Sequence, residues 1–212
     1  MAQRGKFITL EGTEGVGKST NLAAIVGWLK ARQIPFIQTR EPGGTPLAEA
    51  LRELLLAPRD EPVDPKAELL MVFAARAQHL ETVILPALER GDWVLSDRFT
   101  DATYAYQGGG RGLSLTLIES LENLVQQGLQ PDCTILLDLS PEIGMQRAEQ
   151  RGDLDRFETE KMDFFEKVRA AYLARAAASP GRFHTVDAAN PVEQVSADVV
   201  AVLDSLVAEG AL

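Results

Sequence analysis

Short runs of β-branched and apolar residues alternate along this chain with longer stretches whose apolar positions recur every three or four residues. The run Lys6–Glu11 (KFITLE) ends at Gly12 and reads as a strand entering a turn. Leu22, Ile25, Val26 and Leu29 then mark one face of a helix over Lys18–Gln33. Further strands are expected at Ile34–Thr39, Asp92–Asp97, Asp132–Leu139 and Arg182–Asp187. Helices are expected at Pro46–Leu56, at Lys66–Arg90 with a bend near Pro86, and at Thr100–Gln107, closed by Gly108-Gly109-Gly110. Others should run from a Ser114 cap to Gln127, from Pro141 to an interruption at Gly152-Asp153, over Lys161–Ala178 and over Pro191–Ala208. Strands separated by helices imply βαβ units, and so an α/β fold whose parallel sheet is covered on both faces. Ligands in such sheets bind beyond the C-terminal strand ends, where Gly12, Arg40, Asp97 and Leu139 fall.

One of those ends carries a phosphate-binding pattern. Gly12-Thr13-Glu14-Gly15-Val16-Gly17-Lys18-Ser19 fits G-x-x-x-x-G-K-[ST], and Thr20 follows it. It stands between a strand and an amphipathic helix, the context the pattern requires. Its glycines let backbone N–H groups curl around an anion, and the following helix adds its positive end. Lys18 then reaches the β- and γ-phosphates, and the Ser19 hydroxyl is a ligand for Mg2+. The loop specifies nucleoside triphosphate phosphates and nothing narrower. No N-K-x-D guanine signature accompanies it.

Charge sharpens this picture. The 212 residues carry 21 basic and 31 acidic side chains, a net charge of −10. That excess argues against a nucleic-acid or anionic-membrane surface, so a site for a polyanion must be locally basic. Of the 21 basic residues 15 are arginine. Arg40 and Arg98 close two strands, Arg52 and Arg76 lie on the helices between them, and the four are spaced to meet at a second anion. The length suits one domain, 1–212. Cys133 lies in an apolar run and reads as a core thiol. No leader-like segment and no apolar stretch of about 18 residues is present, which points to the cytoplasm. His79 and His184 are expected to pack or face solvent.

The stretches TREPGGTPLAE, LRELLLA, FAARAQH, SDRFTDATYAYQGGGRG and RGDLDRFE, together with the phosphate loop, resemble the thymidylate kinases from residue 7 to about 160. The resemblance implies a P-loop NTPase fold with a five-stranded parallel sheet, a lid over the ATP phosphates at about 147–160, and a homodimer. It implies transfer of the ATP γ-phosphoryl group to dTMP, with Mg2+, in the synthesis of dTTP. In that family Arg98 and Arg40 would meet the acceptor phosphate, with Arg52 close by, and Asp97 would stand near Mg2+ and the phosphates. Glu14 would reach the sugar 3′-OH or its water; Arg76, Thr103 and Gln107 would face thymine. Tyr106 would press on the sugar C2′ and disfavour a ribose. The family usually places a stacking Phe four residues before the base-reading Arg. Here Val72 holds that position beside Phe73, so either Phe73 swings over the base, the preferred reading, or Phe73 is core and Val72 makes an apolar contact. The phosphate loop has no basic residue besides Lys18. Arg147, Arg151 and Arg156 in the lid would serve ATP instead, a bacterial-type arrangement, with Gly152 as a hinge.

A phosphate monoester is mostly dianionic at pH 7, so its oxygen is already a nucleophile and no general base is required. The obstacle is bringing two polyanions together, which Lys18, Arg98, Arg151 and the metal would relieve. Other readings remain at this stage: a kinase of another nucleotide or of a nucleoside, with Glu11 or Glu41 as base, or a regulatory P-loop ATPase.

Overall fold

The computed structural model describes residues 4–151 and 155–212; the side chain of Arg151 and residues 152–154 lie outside the described part, and with them the expectations for Arg151 and a Gly152 hinge. Five strands form one parallel sheet in the order β2-β3-β1-β4-β5: β1 (Phe7–Glu11), β2 (Phe36–Arg40), β3 (Trp93–Asp97), β4 (Cys133–Asp138) and β5 (Phe183–Asp187). The expected strands are all present, with ends shifted by no more than two residues. In register, Phe7 lies opposite Val94, and Ile8 opposite Cys133. Every residue of β1 is buried, as both faces of a central parallel strand should be. Its one buried hydroxyl, on Thr9, bonds that of Thr134 on β4 at 2.9 Å.

The period-two alternation splits the core. Ile8, Leu10, Ile135 and Leu137 face α1 (Lys18–Ala31) and α9 (Val192–Ala208), where Ile25, Leu29, Val199 and Leu203 meet them. Phe7, Val94 and Leu136 face the other layer: α3 (Pro65–His79), α4 (Leu85–Arg90), α6 (Leu115–Gln126) and α8 (Met162–Ala178). Two further helices border the site: α2 (Pro46–Leu56) and α7 (Pro141–Arg151). Thr45 caps α2 by accepting from the Ala48 N–H, and Asp64 caps α3 by accepting from Lys66 and Ala67, each with proline at the next position. Ser114 precedes α6 without a side-chain cap bond, contrary to expectation.

Two helices differ from their expected form. The stretch expected as one helix over Lys66–Arg90 is α3, a π-helical turn at Leu80–Ile84, and α4. Pro86 explains the change: its ring collides with the carbonyl four residues earlier in a regular helix, and a widened turn removes the collision. The second is α5 (Thr100–Thr103), which continues as a π-helical segment, Tyr104–Gly110, so the three glycines lie inside it. They are there for packing. A Cβ on Gly109 would come within 2.7 Å of the Ala171 Cβ on α8, and one on Gly110 would enter the Phe164 ring.

Candidate active site

The phosphate loop joins β1 to α1 as expected. Gly12, Gly15 and Gly17 have φ of 141°, 67° and 87°, a region that L side chains seldom adopt. A Cβ on Gly12 would lie 2.6 Å from the Leu137 carbonyl oxygen, and one on Gly15 would overlap the Gly144 carbonyl at the start of α7. The side chain of Val16 is buried in the core, so this residue offers the loop its backbone. The Lys18 ammonium donates to the carbonyls of Thr13 at 2.8 Å and Gly12 at 3.3 Å. Burial, then the nearby Arg98 charge, push its pKa down to about 8.

Arg98 follows β3 with a φ of 69°, unusual for a side chain with a Cβ. The surroundings hold it there. Its N–H donates to the Leu10 carbonyl at 3.0 Å, its carbonyl accepts from the Ser96 hydroxyl at 2.7 Å, and its guanidinium lies over the Tyr106 ring. Burial opposes its charge, but Tyr106, Tyr172, Glu14 and Asp97 outweigh burial and hold its pKa well above the usual value. Glu14 Oε1 accepts from Arg98 Nη2 at 3.0 Å and from the Tyr106 hydroxyl at 2.6 Å, while its Oε2 is buried without a bond among the described residues.

Two cavities meet at this group. The larger, about 490 Å³, is lined by residues Glu14 to Thr20 of the loop, with Arg40, Asp97 and Arg147. The smaller, about 110 Å³, is lined by Leu55, Val72, Arg76, Thr103, Gln107 and Phe157 among others. Glu14, Glu41, Arg52, Arg98 and Asp155 belong to both walls. A polyanion in the first and a smaller anion in the second would face each other across Arg98.

The smaller cavity has a charged floor. Arg76 Nε donates to Glu41 Oε2 at 2.7 Å and its Nη2 to the Thr103 hydroxyl at 2.9 Å, while Nη1 is buried without a bond among the described residues. His79 packs, fully buried, between Glu41 at 3.0 Å and Thr39 at 2.6 Å. Arg52 Nη1 donates to the Pro42 carbonyl at 2.9 Å, and the Glu41–Pro42 peptide is cis. Val72 lines the cavity. Phe73 instead packs with Leu69, Tyr104 and Ile118. This departs from the preferred expectation and matches its alternative, because the buried stripe of α3 leaves Phe73 turned toward α6.

Other placements also differ from the sequence reading. Arg156 does not line the larger cavity; it donates to Glu68 Oε2 and the Leu55 carbonyl, both at 2.7 Å. Arg40 is exposed and paired with Glu49 at 2.8 Å, on the rim. Glu68, Asp155 and Phe157 were not among the expected site residues, and Glu41 was expected only as the base of a nucleoside kinase. One signal existed for Glu68: it shares a helix face with Val72, Arg76 and His79, and a charge on a buried stripe needs a partner. Asp155 and Phe157 stand in the RGDLDRFE stretch, but nothing in it placed them on the cavity wall, since that depends on how the lid packs.

This chain is similar to known proteins along most of its length. The family model described as Thymidylate kinase matches residues 10–199. The thymidylate kinase of Teredinibacter turnerae is 64% identical over 95% of this chain and 98% of its own. That of Chromohalobacter salexigens is 62% identical over 93% and 94%. Among solved structures, the thymidylate kinase from Ehrlichia chaffeensis superposes with a TM-score of 0.75 at 32% identity, covering 95% of this chain and 99% of that one.

Proposed function

The chain belongs to the thymidylate kinase family and phosphorylates dTMP on the route to dTTP, and on that premise we propose that ATP is the donor, bound in the larger cavity, with dTMP in the smaller. The shared wall of Glu14, Glu41, Arg52, Arg98 and Asp155 carries the proposal, because it sets the two anions face to face. The loop from Gly12 to Thr20 holds the donor phosphates by its N–H groups, and Lys18 exchanges its loop carbonyls for phosphate oxygens. Arg98, with Arg40 and Arg52, takes the acceptor phosphate, whose oxygen attacks the γ-phosphorus in line. Arg98 stands between the two and stabilises the charge spread over the transferring group. Arg147, which donates to the Ala188 carbonyl at 3.3 Å, links the donor cavity to residues 186–191, where the adenine is proposed to lie.

Mg2+ fits the donor set. Asp97 Oδ1 is buried without a bond among the described residues, in the cavity that Ser19 also lines. Those residues include no cluster of three or more His, Cys, Asp or Glu able to hold an ion. One carboxylate and one hydroxyl, with oxygens from the phosphates, suit this cation. When bound, the ion neutralises charge on the β- and γ-phosphates.

On the acceptor side Arg76, Thr103 and Gln107 face the base, Val72 supplies apolar contact, and Tyr106 closes on the sugar beside Glu14. The lid residues Arg151 and Arg156 are proposed to serve ATP when the lid closes, Arg156 leaving Glu68 to do so. A homodimer is proposed through α2, α3 and α6. Exposed Leu47 and Leu54, then Ala67, Leu70, Ala74 and Ala77, then Leu117 and Leu124 give each helix an outward apolar stripe. Sedimentation at the mass of two chains checks this. No helix among the described residues is long and apolar enough to cross a membrane, and the enzyme is proposed to work in the cytoplasm. ATP consumption with and without dTMP tests the reading, and turnover independent of dTMP would defeat it. Arg98→Ala should lower kcat/KM by at least about a hundredfold, the scale of one lost charge-stabilising donor; near-normal turnover would place the acceptor elsewhere.

A further inference from the structure

Behind the base-facing wall lies a carboxylate that the transfer reaction does not use. Glu68 on α3 is fully buried and collects three side chains. Its Oε1 accepts from Gln107 Nε2 at 2.9 Å and from Arg111 Nε at 3.1 Å. Its Oε2 accepts from Arg156 Nη2 at 2.7 Å and from Arg111 Nη2 at 3.2 Å. Arg111 also donates to Glu160 at 2.5 Å, and both guanidiniums lie against the Phe157 ring.

The chemistry of this cluster fixes the orientation of an amide. A carboxylate only accepts hydrogen bonds, so Gln107 must turn its NH2 toward Glu68. Its amide oxygen is then the group left for the cavity that Gln107 lines. Arg76 lines the same cavity, and its buried Nη1 is a donor without a bond among the described residues. A wall that offers one acceptor and one donor complements a base with an N–H beside a carbonyl. It opposes a base that presents a ring nitrogen beside an amino group. A free glutamine could flip to suit either.

We propose that Glu68 is a specificity-determining positioning residue: it locks the Gln107 amide so that the site accepts a pyrimidine with an N3–H and rejects an aminopyrimidine. The proposal rests on dTMP occupying the smaller cavity. Arg111 balances the buried charge throughout, and Arg156 shares it until the lid closes.

The test is Glu68→Gln, which keeps the shape but lets residue 68 donate or accept, so that Gln107 is no longer held one way. Wild-type turnover of dTMP is measured first; its absence would defeat the underlying reading rather than this one. The kcat/KM ratio of dTMP to dCMP should then fall at least tenfold in the variant, chiefly through KM for dTMP. In a Gln107→Ala background the same change should leave the ratio unaltered, because Glu68 acts through that amide. A lower melting temperature with an unchanged ratio, or an equal further drop in the Gln107→Ala background, would overturn the proposal. If Glu68→Gln does not fold, Glu68→Asp keeps the charge while shortening the reach to Gln107. It should lower the same ratio, and an unchanged ratio there would equally overturn the proposal.

Discussion

The pair Glu41–Arg76 offers the strongest single test of how this site is held together. Both side chains are at most 3% exposed, and the contact is 2.7 Å. Removing the carboxylate by Glu41→Ala leaves the Arg76 guanidinium in a dry site, with Thr103 as its remaining bonded side chain, and takes from His79 one of its two partners. Breaking a buried ion pair on one side costs about 3–5 kcal/mol. For a chain of this size each kcal/mol lowers Tm by roughly 2–4 °C, so a fall of roughly 6–20 °C is expected. Differential scanning calorimetry of the ligand-free enzyme reads it directly. The charge, rather than lost volume, should dominate. The double change Glu41→Leu with Arg76→Met, which removes both charges, should therefore regain at least half of the loss. A shift below about 2 °C for the single variant, or a double variant no more stable than it, would refute the reasoning.

Glu11 makes a pH prediction. Burial, then the negative charge of Asp101, raise its pKa from 4.5 to about 8, and the bonds from Tyr172 and the Phe99 N–H only partly offset them. A folded value above the unfolded one means that the native state keeps a proton the unfolded chain has released. The Glu11 contribution is thus complete below about pH 4.5 and is lost as pH rises to about 8. Relative to Glu11→Gln, the unmodified chain should lose stability across that window in denaturant titrations; parallel curves would disprove the assignment. Gly15→Ala forces a Cβ into the Gly144 carbonyl and a positive φ on a residue with a side chain. ATP affinity by calorimetry should drop at least tenfold, and unchanged binding would mean that the loop moves freely against α7. Tyr106→Ala should raise kcat/KM for ribose monophosphates relative to dTMP, and constant selectivity would remove the tyrosine from sugar discrimination.

What was legible in the sequence was whatever local chemistry dictates. Strand runs, the glycine pattern with its lysine and serine, and arginines at strand ends follow from backbone geometry and charge over a few residues. They were enough for the fold, for the phosphate loop and for the idea of two facing anions. Where the expectation failed, the deciding partner was distant in the chain. Pro86 signalled a bend, but the form of the turn before it depends on packing. The glycines at 108–110 looked like a helix stop, yet they form the last turn of the helix, pressed by α6 at Gly108 and by α8 at Gly109 and Gly110.

The lid illustrates the same limit. Its arginines announce an anion, but Arg156 rests on Glu68, 88 residues away in sequence, and spacing alone cannot pair them. Val72 and Phe73 are neighbours on one helix, and periodicity puts both on the buried side. Only the positions of α6 and the cavity decide that Phe73 packs and Val72 lines the pocket. The sequence by itself determined the fold and the donor loop, because those rest on contiguous residues. The tertiary structure decided which buried charges pair and which side chains form the acceptor wall, because those choices belong to residues that only folding brings together.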